Sequence, residues 1–186
     1  MSDEPTAPSA LKTMLVIGGA RSGKSCYAQN LAENSGKIPV LIATAAAGDA
    51  EMAARIATHQ ADRGSHWRVV EEEIDVAGAL FREAAPDKVI VVDCLTLWLS
   101  NLMLGSQDIE THCEALARAV AGLGGPAIFV SNEVGCGIVP ENALGRAFRD
   151  AQGRLNQRLA SICDAVVLVA AGLPLQLKPS AVALRL

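Results

Sequence analysis

The sequence predicts a single α/β domain of the P-loop NTPase type, with a mostly parallel central sheet flanked by helices. Three observations predict it. Five short runs are apolar throughout, helical stretches fill the intervals between them, and a G-x-x-x-x-G-K-[ST] motif stands between the first run and the first helix. Runs without period-two alternation are what strands buried on both faces look like, and parallel sheets bury both faces because crossover helices cover them.

The first run, Met14 to Ile17, stops at Gly18-Gly19, and helix-forming residues resume from Ser25 to Ala32, so the opening reads strand, tight loop, helix. Equivalent runs follow at Pro39–Ala43, Val89–Val92, Ala127–Val130 and Ala165–Val169, with a shorter strand around Trp67. Helical patterns occupy Asp49–Arg63, Val76–Ala84, Leu95–Leu104, Ile109–Leu123 and Leu144–Ser161. From Gly172 to Leu186, Pro174 and Pro179 interrupt a weak alternation, which suits either an edge strand or a tail over the sheet. With no internal repeat or long linker, residues 1–12 read as a flexible N-terminus and residues 13–186 as one domain with right-handed crossovers.

Bulk properties remove several function classes. The 186 residues are 51% hydrophobic and 19% charged, but no apolar run approaches the roughly 20 residues that span a bilayer. Sixteen basic against twenty acidic residues give a net charge of −4 with no basic stripe, so nucleic acid is a poor partner. The five cysteines are an odd number without zinc-knuckle spacing. They read as reduced thiols, mostly packing, in a cytoplasmic protein.

The chemistry begins at Gly18-Gly19-Ala20-Arg21-Ser22-Gly23-Lys24-Ser25. Glycines open backbone angles closed to other residues, so that successive N–H groups converge on a phosphate at the positive end of a helix. Lys24 reaches the β- and γ-phosphates, and the Ser25 hydroxyl suits Mg²⁺. A partner carboxylate belongs at the end of a buried strand, and Val89-Ile90-Val91-Val92-Asp93 provides one in Asp93. The competing reading of Asp93 is a cap for the following helix.

Two further features point to the same end of a sheet. Arg55, His59 and Arg63 stand at i, i+4 and i+8, placing an imidazole between two cations on one helix face. Such neighbours disfavour the protonated ring and leave a neutral nitrogen as nucleophile or base. His66 and His112 have no comparable setting. After the fourth apolar run, Asn132 and Glu133 emerge outside a strand's carboxyl end, where open α/β sheets bind ligands, and can position an acceptor hydroxyl.

Taken together, GGARSGKS, EMAARI with His59 and Arg63 behind it, HW ahead of a glutamate, DCLTLWLSNL, SNEVGCGIVP, RAFRDAQGRLNQRLA and AGLPLQLK resemble, in this order, the bifunctional adenosylcobinamide kinase and adenosylcobinamide-phosphate guanylyltransferase family. The likeness runs over nearly the whole chain after Lys12. It implies two reactions of cobalamin assembly: phosphorylation of adenosylcobinamide by ATP or GTP, and transfer of GMP from GTP to adenosylcobinamide phosphate through a guanylyl-histidine. His59 occupies the position of that histidine. The resemblance also implies nucleotide contacts at Gly18 to Ser25, at Ala43, Thr44 and Ala45, at Gln60, Ala61, Asp62 and Arg63, and at Glu71 and Asp93. Mg²⁺ held by Ser25 and Asp93 follows, as does a homo-oligomer, a trimer in relatives. Glu73 departs from the family pattern, where proline is frequent.

Two other readings fit the phosphate loop alone. A single-activity small-molecule kinase would not retain label from α-labelled GTP after denaturation. A regulatory GTPase would be expected to carry an N-K-x-D guanine-reading motif, which the sequence lacks.

Overall fold

The strands fall where both-face burial places them. In the computed structural model, which describes residues 11–45 and 66–179, the chain runs β1 (Thr13–Gly18), α1 (Lys24–Glu33), β2 (Ile38–Ala43), β3 (Arg68–Glu71), α2 (Val76–Glu83), β4 (Lys88–Asp93), α3 (Leu95–Leu104), α4 (Ile109–Ala121), β5 (Ala127–Asn132), α5 (Ala143–Ile162), β6 (Ala165–Ala170) and β7 (Leu173–Lys178). The sheet order is β3-β2-β4-β5-β1-β6-β7. Every pairing is parallel except β6 with β7.

Alternate residues of each central strand enter different cores. Leu15, Val40, Ile42, Ile90, Val92 and Phe129 pack beneath α2 to α5 with Leu80, Trp98, Leu116 and Leu155. Val16, Leu41, Val91, Val130 and Val167 face the other way, onto Ala28 and Ala32 of α1 and onto Trp67. Full burial of each such aliphatic side chain contributes about 1.5–3 kcal/mol, so both faces favour apolar residues along these strands. That preference erased the alternation from the sequence.

The C-terminal stretch forms an edge strand, not a covering tail, as far as Lys178. Ala171 and Gly172 turn at positive φ, 52° and 80°, which matches the twist of a tight hairpin. Lys178 then anchors β7 by donating to the carbonyls of Ala160 at 3.0 Å, Ser161 at 3.0 Å and Cys163 at 2.6 Å. A cation there satisfies orphan carbonyls at the negative end of α5. Leu173, Leu175 and Leu177 remain exposed along this edge.

Asp164 secures the same end of the sheet, next to the Lys178 anchor. Its carboxylate accepts from the backbone N–H groups of Lys12 and Thr13, both at 2.9 Å, and from the Thr13 hydroxyl at 3.0 Å. The Lys12 carbonyl accepts from Ala127 N at 2.8 Å, so pairing begins within the last two residues assigned to the N-terminal segment. No helix among the described residues is long and apolar enough to cross a membrane. All five cysteines are free, three of them at least partly buried and Cys26 and Cys136 exposed, so packing accounts for three thiols.

Candidate nucleotide site

The parallel registers bring the polar strand ends into one row. Glu71 pairs with Ala43 and Ala43 with Asp93, while Gly18 pairs with Asn132. The carboxyl ends of β3, β2, β4, β5 and β1 therefore open on one edge, which is where α/β sheets bind ligands.

At the head of β1 the loop is pressed against its neighbours. A Cβ on Gly18 would stand 2.4 Å from the Val169 carbonyl oxygen and 2.6 Å from the Ser22 Oγ. Gly23 takes φ 95°, and a Cβ there would come within 3.1 Å of the Gly172 Cα. Both positions require glycine, Gly23 for its left-handed backbone as well as for space. The hairpin turn braces the loop directly, since Gly172 N donates to the Ser22 carbonyl at 2.8 Å. Ser22 is buried, and among the described residues its hydroxyl has no hydrogen-bond partner.

Lys24 opens α1, and its Nζ donates to the Gly19 carbonyl at 2.9 Å across the loop. Its side chain is largely sequestered, and burial lowers its pKa, with Cys94 and Asp93 pulling it back upward. The Asp93 carboxylate is thus near enough for its field to reach the lysine. Both charges also act on Cys94, whose thiol burial pushes up to about 11, aided by Asp93. It is neutral at physiological pH and is no nucleophile.

The helices divide by how they start. Side chains cap α2 through Asp75, α4 through Asp108 and α5 through Asn142. Among the described residues none caps α1 or α3, which follow the loop and Asp93. The N-cap position of α3 is Cys94, so Asp93 does not fill that structural role. An uncapped helix N-terminus leaves backbone donors and positive potential for an anion.

The remaining expected residues sort as follows. Ser25 is half-buried at the start of α1, Ala43 and Ala45 flank a fully buried Thr44, and Glu71 is exposed at the end of β3. The Thr44 hydroxyl is committed to Cys94, accepting from its N–H at 2.9 Å and donating to its carbonyl at 2.7 Å. Glu133 N donates to the Gly18 carbonyl at 2.9 Å, which joins the loop after β5 to the phosphate loop. Its carboxylate accepts from Gly135 N at 2.5 Å and so holds the turn of that loop. His59, with Arg55, Gln60, Ala61, Asp62 and Arg63, lies outside the described residues.

Sequence reasoning missed the polar groups that hold the strand exits. Thr96 Oγ1 accepts from Asn132 N at 2.8 Å, and Asn156 Nδ2 donates to the Asn132 carbonyl at 3.0 Å. Asn156, Gln152 and Ser131 form a buried cluster, with Ser131 Oγ donating to Asn156 Oδ1 at 2.6 Å and Gln152 Nε2 donating to both partners. The available signal was Gln152 and Asn156 at i and i+4, a polar pair on the core-facing side of α5.

A family model described as cobinamide kinase / cobinamide phosphate guanyltransferase matches residues 14–177. The bifunctional adenosylcobalamin biosynthesis protein CobP of Pseudomonas aeruginosa is 48% identical over 166 residues, covering 88% of this chain and 96% of that protein. The CobU proteins of the same description from Salmonella typhimurium and Escherichia coli are 39% and 37% identical over 180 residues, covering 89% of this chain and 99% of each. Among solved structures, the assembled ATPase EscN of an enteropathogenic E. coli type III secretion system superposes with a TM-score of 0.55 at 14% identity. That match covers 87% of this chain and 43% of EscN, and it speaks for the fold alone.

Proposed function

The chain belongs to the cobinamide kinase / cobinamide phosphate guanyltransferase family, and on that premise we propose that it catalyses both reactions in cobalamin biosynthesis, on adenosylcobinamide and then on adenosylcobinamide phosphate. The observation that carries the reading is the Lys24 loop at the end of β1 with Asp93 within electrostatic reach.

In the first reaction the hydroxyl oxygen of the substrate's aminopropanol arm attacks the γ-phosphorus of ATP or GTP. The bond to the β–γ bridging oxygen breaks and the hydroxyl proton is lost. Lys24 leaves the Gly19 carbonyl for the phosphate oxygens, and the loop N–H groups and the uncapped start of α1 offset the charge on the transferring group. Asn132 and Glu133 stand on the acceptor side, tied to the loop through Gly18.

Mg²⁺ fits the donor set. A hard cation that takes oxygen ligands and keeps several waters needs few protein groups. The Ser25 hydroxyl and the Asp93 carboxylate are such donors, and no cluster of three or more acidic, histidine or cysteine ligands occurs among the described residues. Bound there with the triphosphate, the ion supplies charge neutralisation and orientation of the phosphates.

In the second reaction a neutral His59 nitrogen attacks the α-phosphorus of GTP and pyrophosphate leaves. The phosphate of adenosylcobinamide phosphate then displaces the histidine, giving adenosylcobinamide-GDP. Support for His59 is its place behind EMAARI, between Arg55 and Arg63. Gln60, Ala61, Asp62, Arg63 and Glu71 complete the proposed guanine-nucleotide contacts. Intact-mass measurement after incubation with GTP and Mg²⁺ tests this step: a GMP adduct is expected on the parent and none on His59→Ala, which should still phosphorylate adenosylcobinamide. An adduct surviving in His59→Ala overturns the assignment.

Five free thiols suit a reducing, cytoplasmic setting. The leucines along the open β7 edge support self-association, and light scattering should return a trimer.

A further inference from the structure

Helix α3 leaves the sheet directly after Asp93, and three of its side chains turn back onto strand exits. Thr96 meets Asn132 at the end of β5, Trp98 Nε1 donates to the Ile74 carbonyl at 2.7 Å, and Asn101 reaches the ends of β2 and β3. Asn101 Nδ2 donates to the Thr44 carbonyl at 2.8 Å and to the Glu73 carbonyl at 3.2 Å. Both partners accept only, so the amide orientation is determined by its surroundings.

Thr44 passes the constraint on. Its N–H donates to the Asp93 carbonyl at 3.3 Å, and its hydroxyl holds both the N–H and the carbonyl of Cys94. The circuit closes on itself: Asp93 leads into α3, α3 carries Asn101, Asn101 holds Thr44, and Thr44 holds the peptide groups on both sides of Cys94. Thr44 is fully buried, so water does not compete for these bonds.

We propose that Asn101 is a positioning residue that, through Thr44, fixes the backbone from which the Asp93 carboxylate meets the nucleotide-bound divalent cation. The inference rests on the assignment of Asp93 to that cation. The physical reason is geometric. Mg²⁺ demands near-ideal octahedral coordination, so a shift of the backbone at Asp93 carries its carboxylate away from the position the ion requires. Partners one step out from a metal ligand typically change affinity by about 10–100-fold when removed.

The test reads metal binding rather than turnover. Mn²⁺ affinity is measured by electron paramagnetic resonance in the complex with a non-hydrolysable GTP analogue, alongside metal-free affinity for the analogue. Variants are Asp93→Asn, Asn101→Ala, Asn101→Asp, Thr44→Val and Thr44→Ser. The expected result is that Asp93→Asn, both Asn101 variants and Thr44→Val each weaken Mn²⁺ binding by about tenfold or more. Thr44→Ser should restore most of the affinity, and metal-free analogue binding by the two Asn101 variants should stay within twofold of the parent. If Asp93→Asn weakens Mn²⁺ binding while Asn101 and Thr44→Val variants match the parent, the positioning role is overturned and the Asp93 assignment survives. If metal-free binding falls in parallel, the clamp is a general structural one and the inference fails. If Asp93→Asn leaves Mn²⁺ binding unchanged, the assignment and the inference fall together. Should Asn101→Ala not fold, the Thr44 Val/Ser pair decides.

Discussion

Two adjacent glycines of one motif should respond in opposite ways to the same added methyl group. At Gly18 a Cβ would sit 2.4 Å from the Val169 carbonyl oxygen, inside the 3.0 Å that real Cβ atoms keep, and the obstacle is backbone in the neighbouring strand β6. Relief requires β1 and β6 to part, or the loop to lift, by more than half an ångström. At Gly19 no atom of the described residues would lie within 4 Å of the added Cβ, and the backbone is not left-handed. Overpacking of this kind costs about 1–3 kcal/mol, and in a domain of this size each kcal/mol lowers the melting temperature by roughly 2–4 °C. Gly18→Ala should therefore melt lower by about 2–12 °C. A lifted loop also misaligns N–H groups aimed at phosphate. Losing one hydrogen bond to a charged group, about 1.5–3 kcal/mol, weakens nucleotide binding by roughly 10–150-fold. Gly19→Ala should leave both quantities near the parent's. Calorimetric titration with a non-hydrolysable triphosphate and a melting scan on the three proteins decide the matter. If Gly18→Ala binds within twofold of the parent and melts within 1 °C of it, or if Gly19→Ala is equally damaged, the contact-based account of the loop is wrong.

Other consequences can be checked separately. Lys24→Ala should abolish measurable transfer in both reactions, because triphosphate binding precedes each, and near-normal turnover in either assay would remove Lys24 from the site. Asn156→Ala takes the acceptor from the Ser131 O–H, which keeps only the bond it accepts from Gln152, and removes the side-chain donor to the Asn132 carbonyl; it should destabilise by about 1–3 kcal/mol, read as a shift in urea midpoint without a change in slope. The Thr13 N–H, the Lys12 N–H and the Thr13 hydroxyl hold the Asp164 carboxyl below the usual carboxylate range. Its contribution to stability is therefore complete above the unfolded pKa near 4 and is lost as pH falls through the lower folded value. Urea midpoints below pH 4 should consequently fall less steeply in Asp164→Asn than in the parent. Native alkylation at neutral pH should label Cys26 and Cys136 while sparing Cys94, Cys113 and Cys163, which burial pushes up to about 11, 11 and 12. Peptide mapping that finds Cys94 modified early would contradict the burial that holds its thiol protonated.

How far the sequence could be read depended on whether a residue's environment was set locally. Central strands were legible because burial on two faces forces uninterrupted apolar runs, and Ile109–Ala121 carried its helix on its own apolar periodicity. The short strand Arg68–Glu71 left little periodicity to read, and it is the sheet's outermost parallel member with Val69 exposed. The phosphate loop was legible for a different reason, since its glycines answer to steric demands within a few residues. Even there, the obstacle that Gly18 avoids is Val169, far along the chain, so the motif recorded the demand without naming its source.

The clamp formed by Thr44, Thr96 and Asn101 marks where local reading stops. Thr96 and Asn101 were visible as polar residues in an otherwise apolar helix, and a polar group facing a core must find a partner. What the sequence does not contain is the partner's address. Asn101 donates to carbonyls 57 and 28 residues away, at Thr44 and Glu73, and every residue in the chain has a carbonyl. Backbone acceptors are chemically alike, so only the order β3-β2-β4-β5 and its register select among them. A side chain that recognises a distinctive group, as we propose Lys24 does a phosphate, leaves a motif. One that recognises backbone leaves only an unexplained polar residue, which is why the residues that aim a site are harder to read than those that occupy it.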